Sequence, residues 1–297
     1  MRKELFFATI AACVMLASCS SNDESEVIVP EPETTKIPIN VTTNLWTRAT
    51  DTAFEQNDKV GIFVVNYNGE TAGVLSNSGN HVDNMCFTYT GNWSPTTPIY
   101  WKDQTTKADF FCYYPYSSIL ANVSAVQCSV KADQSTEQNY KASEFLWGKR
   151  EKVAPTANPV ELKVSHAMSN IIIKLQAGQG YTKADMERAS VTIKGLKTNA
   201  TANLATGSVT ATGSATDITP LKEGENLRAM VVPQSVSDTK LIEVVIDNYT
   251  YSLTQSLTFE SNKQHTCTLT VNRTNNGINI GINGWETDDT DHGGTVN

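Results

Sequence analysis

Segments in which apolar and polar residues alternate recur along almost the whole chain. The alternation is clearest in four segments, which begin at Ile37, Val60, Phe110 and Cys267. Successive side chains of a β-strand point to opposite faces, so this pattern predicts strands with one buried face. Turn-forming pairs such as Asn68-Gly69 and Gly91-Asn92 separate the segments, and only residues 182–189 have a helical pattern. The sequence therefore predicts an all-β fold.

The length of the chain predicts its domain organisation. Once the first 35 residues are set aside, roughly 260 residues remain, which is enough for two ordinary domains. Pro155 and Pro159 lie in a proline-containing segment, and a long apolar strand pattern follows it. We therefore expect two tandem antiparallel β-sandwich domains of Greek-key topology, at residues 36–160 and 161–297.

The N-terminus has the features of a secretory leader. Arg2 and Lys3 precede an apolar run over residues 5–16, which is too short to span a bilayer. The run ends in small residues before Cys19, a pattern that resembles the lipobox of bacterial lipoproteins. We therefore predict a signal peptide over residues 1–18 and lipidation of Cys19. Residues 19–35 are polar, acidic and proline-containing, which is typical of a flexible tether.

Charge and motifs argue against several classes of function. The formal net charge is −8, and no basic stripe is present to bind nucleic acid. The chain lacks a Gly-x-Ser-x-Gly elbow, a phosphate-binding loop and a His-Glu-x-x-His motif, and its four histidines lie far apart. We predict a protein that is not an enzyme and needs neither a cofactor nor a metal. His166 is interpreted as a structural residue that forms a hydrogen bond.

Blocks that match one known family occur in order along the chain, at residues 47–50, 54, 58–63, 87–89, 93, 99–102, 108–116, 145–148, 165–171, 232–234 and 282–285. They resemble the corresponding blocks of the Bacteroidales fimbrillin family, the group of Mfa-like and FimA-like pilins. One departure is Asn57, where the family more often has glycine, and we expect it to change only a turn.

The resemblance implies both a fold and a mode of assembly. It implies two transthyretin-like β-sandwich domains in a subunit of cell-surface fimbriae, which supports adhesion and biofilm formation. The precursor would travel to the outer membrane as a lipoprotein. A trypsin-like, arginine-specific protease would then cut between Arg48 and Ala49, and the first strand would leave. The partners would be other fimbrillin subunits, which donate a strand. A host or bacterial surface ligand is a further possible partner.

Two ribbons of the chain have interchangeable patterns, as this exchange requires. The first places Ile37, Ile39, Val41 and Leu45 on one face of an extended strand, and Pro38 suits an edge position. The second places Ile278, Ile280 and Ile282 on one face. Either ribbon could instead be a permanent strand of its own domain, with Arg48 an ordinary loop residue.

A second function remains open at this stage. The protein could be a monomeric surface lipoprotein that binds a glycan through one face of a β-sandwich. The aromatic residues that would stack on sugars are Trp93, Tyr100, Trp101, Tyr113, Tyr114, Tyr116 and Trp147. The same residues could instead fill the core of the N-terminal sandwich, and the alternation of strand residues between core and surface favours that interpretation.

Overall fold

The fold is built almost wholly of β-strands. The computed structural model describes residues 36–45, 53–273, 280–282 and 286–287, and within these ranges only two short helices interrupt the strands. In chain order the elements are β1 (Val41–Leu45), β2 (Lys59–Asn66), β3 (Val82–Tyr89), β4 (Trp93–Pro95), β5 (Ala108–Tyr114), β6 (Val126–Ser129), α1 (Glu137–Lys141), β7 (Leu146–Val153), β8 (Val160–His166), β9 (Ser169–Ala177), α2 (Lys183–Arg188), β10 (Ser190–Ala202), β11 (Val209–Ile218), β12 (Leu221–Glu223), β13 (Asn226–Val231), β14 (Gln234–Ile246), β15 (Tyr249–Phe259), β16 (Gln264–Val271), β17 (Ile280–Ile282) and β18 (Glu286–Thr287). The all-β prediction is confirmed.

The first sheet has seven strands, in the order β1-β8-β7-β5-β2-β3-β4. Strand β8 begins at Val160, where the sequence predicts a domain boundary, and it pairs with both β7 and β1. The first sheet therefore continues past residue 160. The division into domains at residues 36–160 and 161–297 stays a prediction.

Two further sheets use mainly the later part of the chain. One contains β11-β10-β14-β15 in that order, with β6 also pairing with β10. The other contains β12-β13-β9-β16-β17, with β18 also pairing with β16. Most pairings are antiparallel, but β1 runs parallel to β8, and β9 runs parallel to β16.

The burial of the strands follows their sequence patterns. Along β16, His265, Cys267, Leu269 and Val271 are buried and the residues between them are not, which is the expected alternation for a half-exposed strand. Strand β2 has a continuous apolar run and is buried on both faces. Its Ile62 and Val64 join one core cluster, while Phe63 and Val65 join the other. The first sheet therefore separates two cores, and we call the one that contains Ile62 the outer core.

The local signals for the helices and one turn are visible in the contacts. Helix α2 lies inside the predicted range 182–189, and the backbone N–H of Thr182 donates a hydrogen bond to Asp185 Oδ2 at 2.7 Å. Helix α1 is capped by the Thr136 hydroxyl, which accepts a hydrogen bond from the Asn139 N–H. Asn57 has a φ of 73°, a conformation that glycine and asparagine tolerate best, so its substitution for glycine preserves the turn.

Candidate strand-exchange site

The N-terminal ribbon, residues 36–45, pairs with two different parts of the chain in succession. Its first half lies antiparallel to residues 99–101: the Ile39 N–H donates to the Ile99 carbonyl at 2.9 Å, and the Trp101 N–H donates to the Ile37 carbonyl at 2.9 Å. Its second half is β1, which runs parallel to β8 with Val41 opposite Val160 and Leu45 opposite Val164. We call residues 36–45 the leading segment.

The leading segment closes the first sheet on itself. Strands β1 and β4 are the two outermost strands of this sheet, yet the Trp93 indole N–H on β4 donates a hydrogen bond to the Thr43 hydroxyl on β1 at 2.7 Å. Residues 99–101, which follow β4, hold the other half of the segment. The leading segment therefore bridges the β4 end of the sheet to β8.

Side chains of the leading segment cover the outer core. Ile39 and Val41 are 2% and 5% exposed, and Ile37 packs against the same cluster. The neighbouring residues Asn40 and Thr42 are exposed. Burying an aliphatic side chain of this size stabilises the fold by about 1.5–3 kcal/mol. Removing the segment would uncover the outer core and leave backbone groups of β8 and of residues 99–101 without their present partners.

Phe54 and Glu55, a few residues after the leading segment, also contact the rest of the fold. The ring of Phe54 packs edge-on against Trp93, with 4.9 Å between ring centroids, and also contacts Tyr89 and Tyr114. Lys141 forms an ion pair with Glu55. Arg48 and Ala49 lie between these two parts of the sequence and are outside the described residues. Cys19, near the N-terminus, is also outside the described residues.

The C-terminal isoleucine ribbon is also at the edge of a sheet. Its residues Ile280 and Ile282 belong to β17, which pairs antiparallel with β16, placing Ile282 opposite Leu269 and Ile280 opposite Val271. Strand β17 is the outermost strand of its sheet. The third residue of the ribbon, Ile278, lies outside the described residues.

Comparison with known proteins identifies the family. A family model described as fimbrillin-like matches residues 47–285, which is most of the chain. The chain belongs to the fimbrillin-like family.

Individual relatives agree with this assignment. This fimbrillin-like chain is 24% identical over 304 residues to a candidate fimbrium subunit, Fim1C, of Bacteroides uniformis, and the alignment covers 96% of each chain. Its fold is similar to the crystal structure of a candidate cell adhesion protein from Bacteroides ovatus, with a TM-score of 0.69, 20% identity, and coverage of 85% of this chain and 98% of that one. A candidate cell adhesion protein from Bacteroides uniformis gives a TM-score of 0.64 at 22% identity, with coverage of 86% and 99%.

Most of the candidate sugar-stacking aromatics of this fimbrillin-like protein lie in its cores. Trp93, Trp101 and Tyr113 are buried. Tyr114, Tyr116 and Trp147 are partly buried, and the Trp147 indole N–H donates to the Leu204 carbonyl at 2.8 Å. Among the seven residues, Tyr100 is the one that is largely exposed, at 40%. The aromatic residues therefore act mainly as core residues.

Two ionisable groups on β5 of the first sheet, Cys112 and Tyr114, are held in their neutral forms. Burial, with help from the nearby Asp58 carboxylate, raises the pKa of Tyr114 to about 12, and the Tyr114 hydroxyl donates to Asp58 Oδ1 at 3.2 Å. Burial alone raises the pKa of Cys112 to about 12. A thiol with so high a pKa is a poor nucleophile at neutral pH, so Cys112 acts as a small apolar residue.

The histidines have structural environments. His166 Nδ1 lies 2.5 Å from Glu144 Oε2, which confirms its interpretation as a hydrogen-bonded structural residue. His265 is buried on β16 against the ring of Phe259, and burial lowers its pKa. In the part of the chain that the structure describes, no group of three or more His, Cys, Asp or Glu side chains is placed to hold a metal. Within the same residues, no helix has the length and apolar character needed to cross a membrane.

Sequence reasoning missed one half of the site. It identified the alternating face of the leading segment, but not residues 99–101 as its second partner. The sequence signal that could have indicated this strand is the alternation of Ile99, Tyr100 and Trp101. In the structure, Ile99 and Trp101 are 8% and 4% exposed. Two alternating residues are too few to predict a strand on their own.

Proposed function

We propose that this protein is a structural subunit of cell-surface fimbriae that polymerises by strand exchange. In this proposal the precursor is anchored in the outer membrane by a lipid on Cys19, and an arginine-specific protease cuts between Arg48 and Ala49. The leading segment then leaves, and the isoleucine ribbon of a neighbouring subunit takes its place. The polymer supports adhesion and biofilm formation. The membership of the chain in the fimbrillin-like family supports the fimbrial role.

One observation carries this proposal: the leading segment closes the first sheet along two partners and ends just before the candidate cleavage site. Its second half lies at the edge of the sheet, so it can depart without crossing another strand. The hydrogen bonds that it makes to residues 99–101 and to β8 are backbone bonds, which another strand can replace.

The isoleucine ribbon matches the leading segment in spacing. Ile37, Ile39 and Val41 occupy every second position of the leading segment, and Ile278, Ile280 and Ile282 do the same in the ribbon. A strand with this pattern can present three aliphatic side chains to the uncovered outer core. The ribbon is held in its own subunit through the edge strand β17, which pairs over three residues with β16. Release from such a short edge pairing costs less than release from the interior of a sheet.

The experiment is a controlled cleavage. The mature chain carrying Cys19→Ser, which prevents lipidation, is treated with an arginine-specific protease at increasing protein concentration. We expect polymers that resist denaturant, whereas Arg48→Gln should form no such polymers under the same conditions. Ile280→Asp should be cut normally but fail to polymerise, since a carboxylate in the outer core is strongly unfavourable. Cut wild-type protein that forms no denaturant-resistant polymer would overturn the proposal.

A further inference from the structure

Strand β15 presents a long side without a partner. It is the outermost strand of the sheet β11-β10-β14-β15, and in the described part of the chain it pairs with β14 alone. Its eleven residues, Tyr249–Phe259, include no charged residue and no proline. Natural edge strands are usually protected from unwanted pairing by lysine, proline, bulges or short length. Strand β15 lacks the first two protections and is longer than an average strand.

The strand is also regular. Two irregularities interrupt its pairing with β14, and both insert the extra residue into β14. From Val236 to Thr239, β14 advances three residues while β15 advances two, and from Lys240 to Ile242 it advances two while β15 advances one. The backbone of β15 is therefore free of the bulges that normally spoil an edge for further pairing.

The sequence of β15 is close to a palindrome. Reading outward from Thr254, the residues on one face are serine and then threonine in both directions: Ser252 and Thr250 on one side, Ser256 and Thr258 on the other. The other face ends in an aromatic residue on each side, the exposed Tyr249 and the buried Phe259, with Tyr251, Leu253, Gln255 and Leu257 buried or partly buried between them. A second copy laid antiparallel about Thr254 would thus pair hydroxyl residues with each other along the first face and an aromatic residue with an aromatic residue at each end of the second.

We propose that the edge of β15 pairs with β15 of a second copy of this chain, antiparallel, with the two-fold axis at Thr254. Thr254 then faces Thr254 of the second copy, Thr250 faces Thr258, and Ser252 faces Ser256. Tyr249 faces Phe259 on the other side of the joined sheet. Threonine and serine pairs and aromatic pairs each stabilise neighbouring strands by about 0.2–1 kcal/mol. A contact of this kind is its own complement, so it closes after two copies.

Because β15 carries no charge, its edge offers a charged partner strand no ion pair, whereas a second copy of β15 needs none. The chain has a formal net charge of −8, which opposes self-association, but β15 itself contributes no charge to the contact. The contact is separate from strand exchange, because the leading segment belongs to the seven-stranded sheet. Uncut protein should therefore form it, and in a polymer it would join subunits side by side.

A cysteine scan tests the register directly. In uncut mature protein carrying Cys19→Ser, Thr254→Cys should form a disulfide-linked dimer under mild oxidation, because residues facing each other across strands have Cβ atoms about 4.5–5.5 Å apart. Thr250→Cys alone should not, since its two copies would lie about 27 Å apart. A mixture of Thr250→Cys and Thr258→Cys proteins should form a mixed dimer. Thr216→Cys, on the opposite edge of the same sheet, and the wild type with its native cysteines are controls.

A charge substitution gives an independent readout. Thr254→Lys places two like charges at the axis and should lower the association constant by about tenfold in sedimentation equilibrium. Thr216→Lys, equally exposed on β11, should leave it unchanged. Higher salt should strengthen the wild-type association by screening the net negative charge. The inference is overturned if Thr254→Cys dimerises no faster than Thr216→Cys, or if both lysine variants associate as the wild type does.

Discussion

At the scale of single residues, the hydrogen bond between Trp93 and Thr43 connects the two ends of the first sheet. The two residues are fifty positions apart in the sequence, and the indole N–H donates to the threonine hydroxyl at 2.7 Å. Trp93 is almost fully buried, so its N–H would have poor access to water if the hydroxyl were absent. A buried donor left without a partner costs more than the bond itself contributes.

We therefore expect Thr43→Val to lower the free energy of unfolding by about 1–2 kcal/mol, because valine keeps the shape of threonine but offers no acceptor. The measurement is urea unfolding followed by tryptophan fluorescence. Thr42→Val is the matched control, since Thr42 is the exposed neighbour on the same strand. Equal effects of the two substitutions would show that the contact with Trp93 does not hold the leading segment.

At the scale of elements, the leading segment is held mainly by its buried face. Ile39 and Val41 point into the outer core, whereas the residues between them are exposed. Backbone hydrogen bonds set the register of the segment and could be offered equally by any other strand. The apolar side chains therefore determine how long the segment stays after the chain is cut.

Ile39→Ala should release the cut segment faster than the wild type by at least about tenfold, since truncating a buried isoleucine typically costs about 2–5 kcal/mol. Release is followed by mass spectrometry of the free peptide after cleavage at Arg48. Ile119→Ala is the control, because Ile119 is 88% exposed and lies outside the leading segment. Release at the same rate in both variants would contradict the assignment of Ile39 to the core-covering face.

The elements also show how far the sequence can be interpreted. The strands in the segments that begin at Ile37 and Cys267, and helix α2, could be predicted because their signals are local: a two-residue period, or the pairing of Thr182 with Asp185. The segments at Val60 and Phe110 also form strands, but the expectation of one buried face is wrong for them, because β2 and β5 are buried on both faces. The parallel pairing of Val41 with Val160 could not, because it joins residues more than a hundred positions apart. Helix α1 was missed because five residues are too few to show a helical period.

The candidate strand-exchange site could also be predicted only in part. The apolar face of Ile37, Ile39 and Val41 is visible in the sequence, but the way in which the leading segment closes the first sheet is not. That role depends on the Trp93 contact and on residues 99–101, which the fold brings to the leading segment from elsewhere in the chain. Arg48, Ala49 and Cys19 remain predictions from resemblance, since they lie outside the described residues.

At the scale of the whole molecule, the three proposed roles fall on three different sheets. The leading segment belongs to the seven-stranded sheet, the isoleucine ribbon to the sheet that contains β16, and the self-pairing edge of β15 to the sheet that contains β14. A subunit arranged in this way can accept a strand, donate a strand and contact a neighbour without any of these contacts competing for the same backbone groups. We therefore expect exchange and lateral pairing to be separable by mutation.

The central claim, that the leading segment must leave before a subunit can accept a strand, is tested most directly by a reversible lock. Thr42 and Glu161 are opposite each other in the pairing of β1 with β8, at a separation that suits a disulfide. A Thr42→Cys, Glu161→Cys protein, also carrying Cys19→Ser, is oxidised and cut at Arg48. It is then divided into an oxidised sample and a reduced sample.

We predict that the oxidised sample forms no denaturant-resistant polymer at any concentration and that the reduced sample polymerises as the cut wild type does. Polymerisation of the oxidised sample, with the leading segment still linked to β8, would contradict the account.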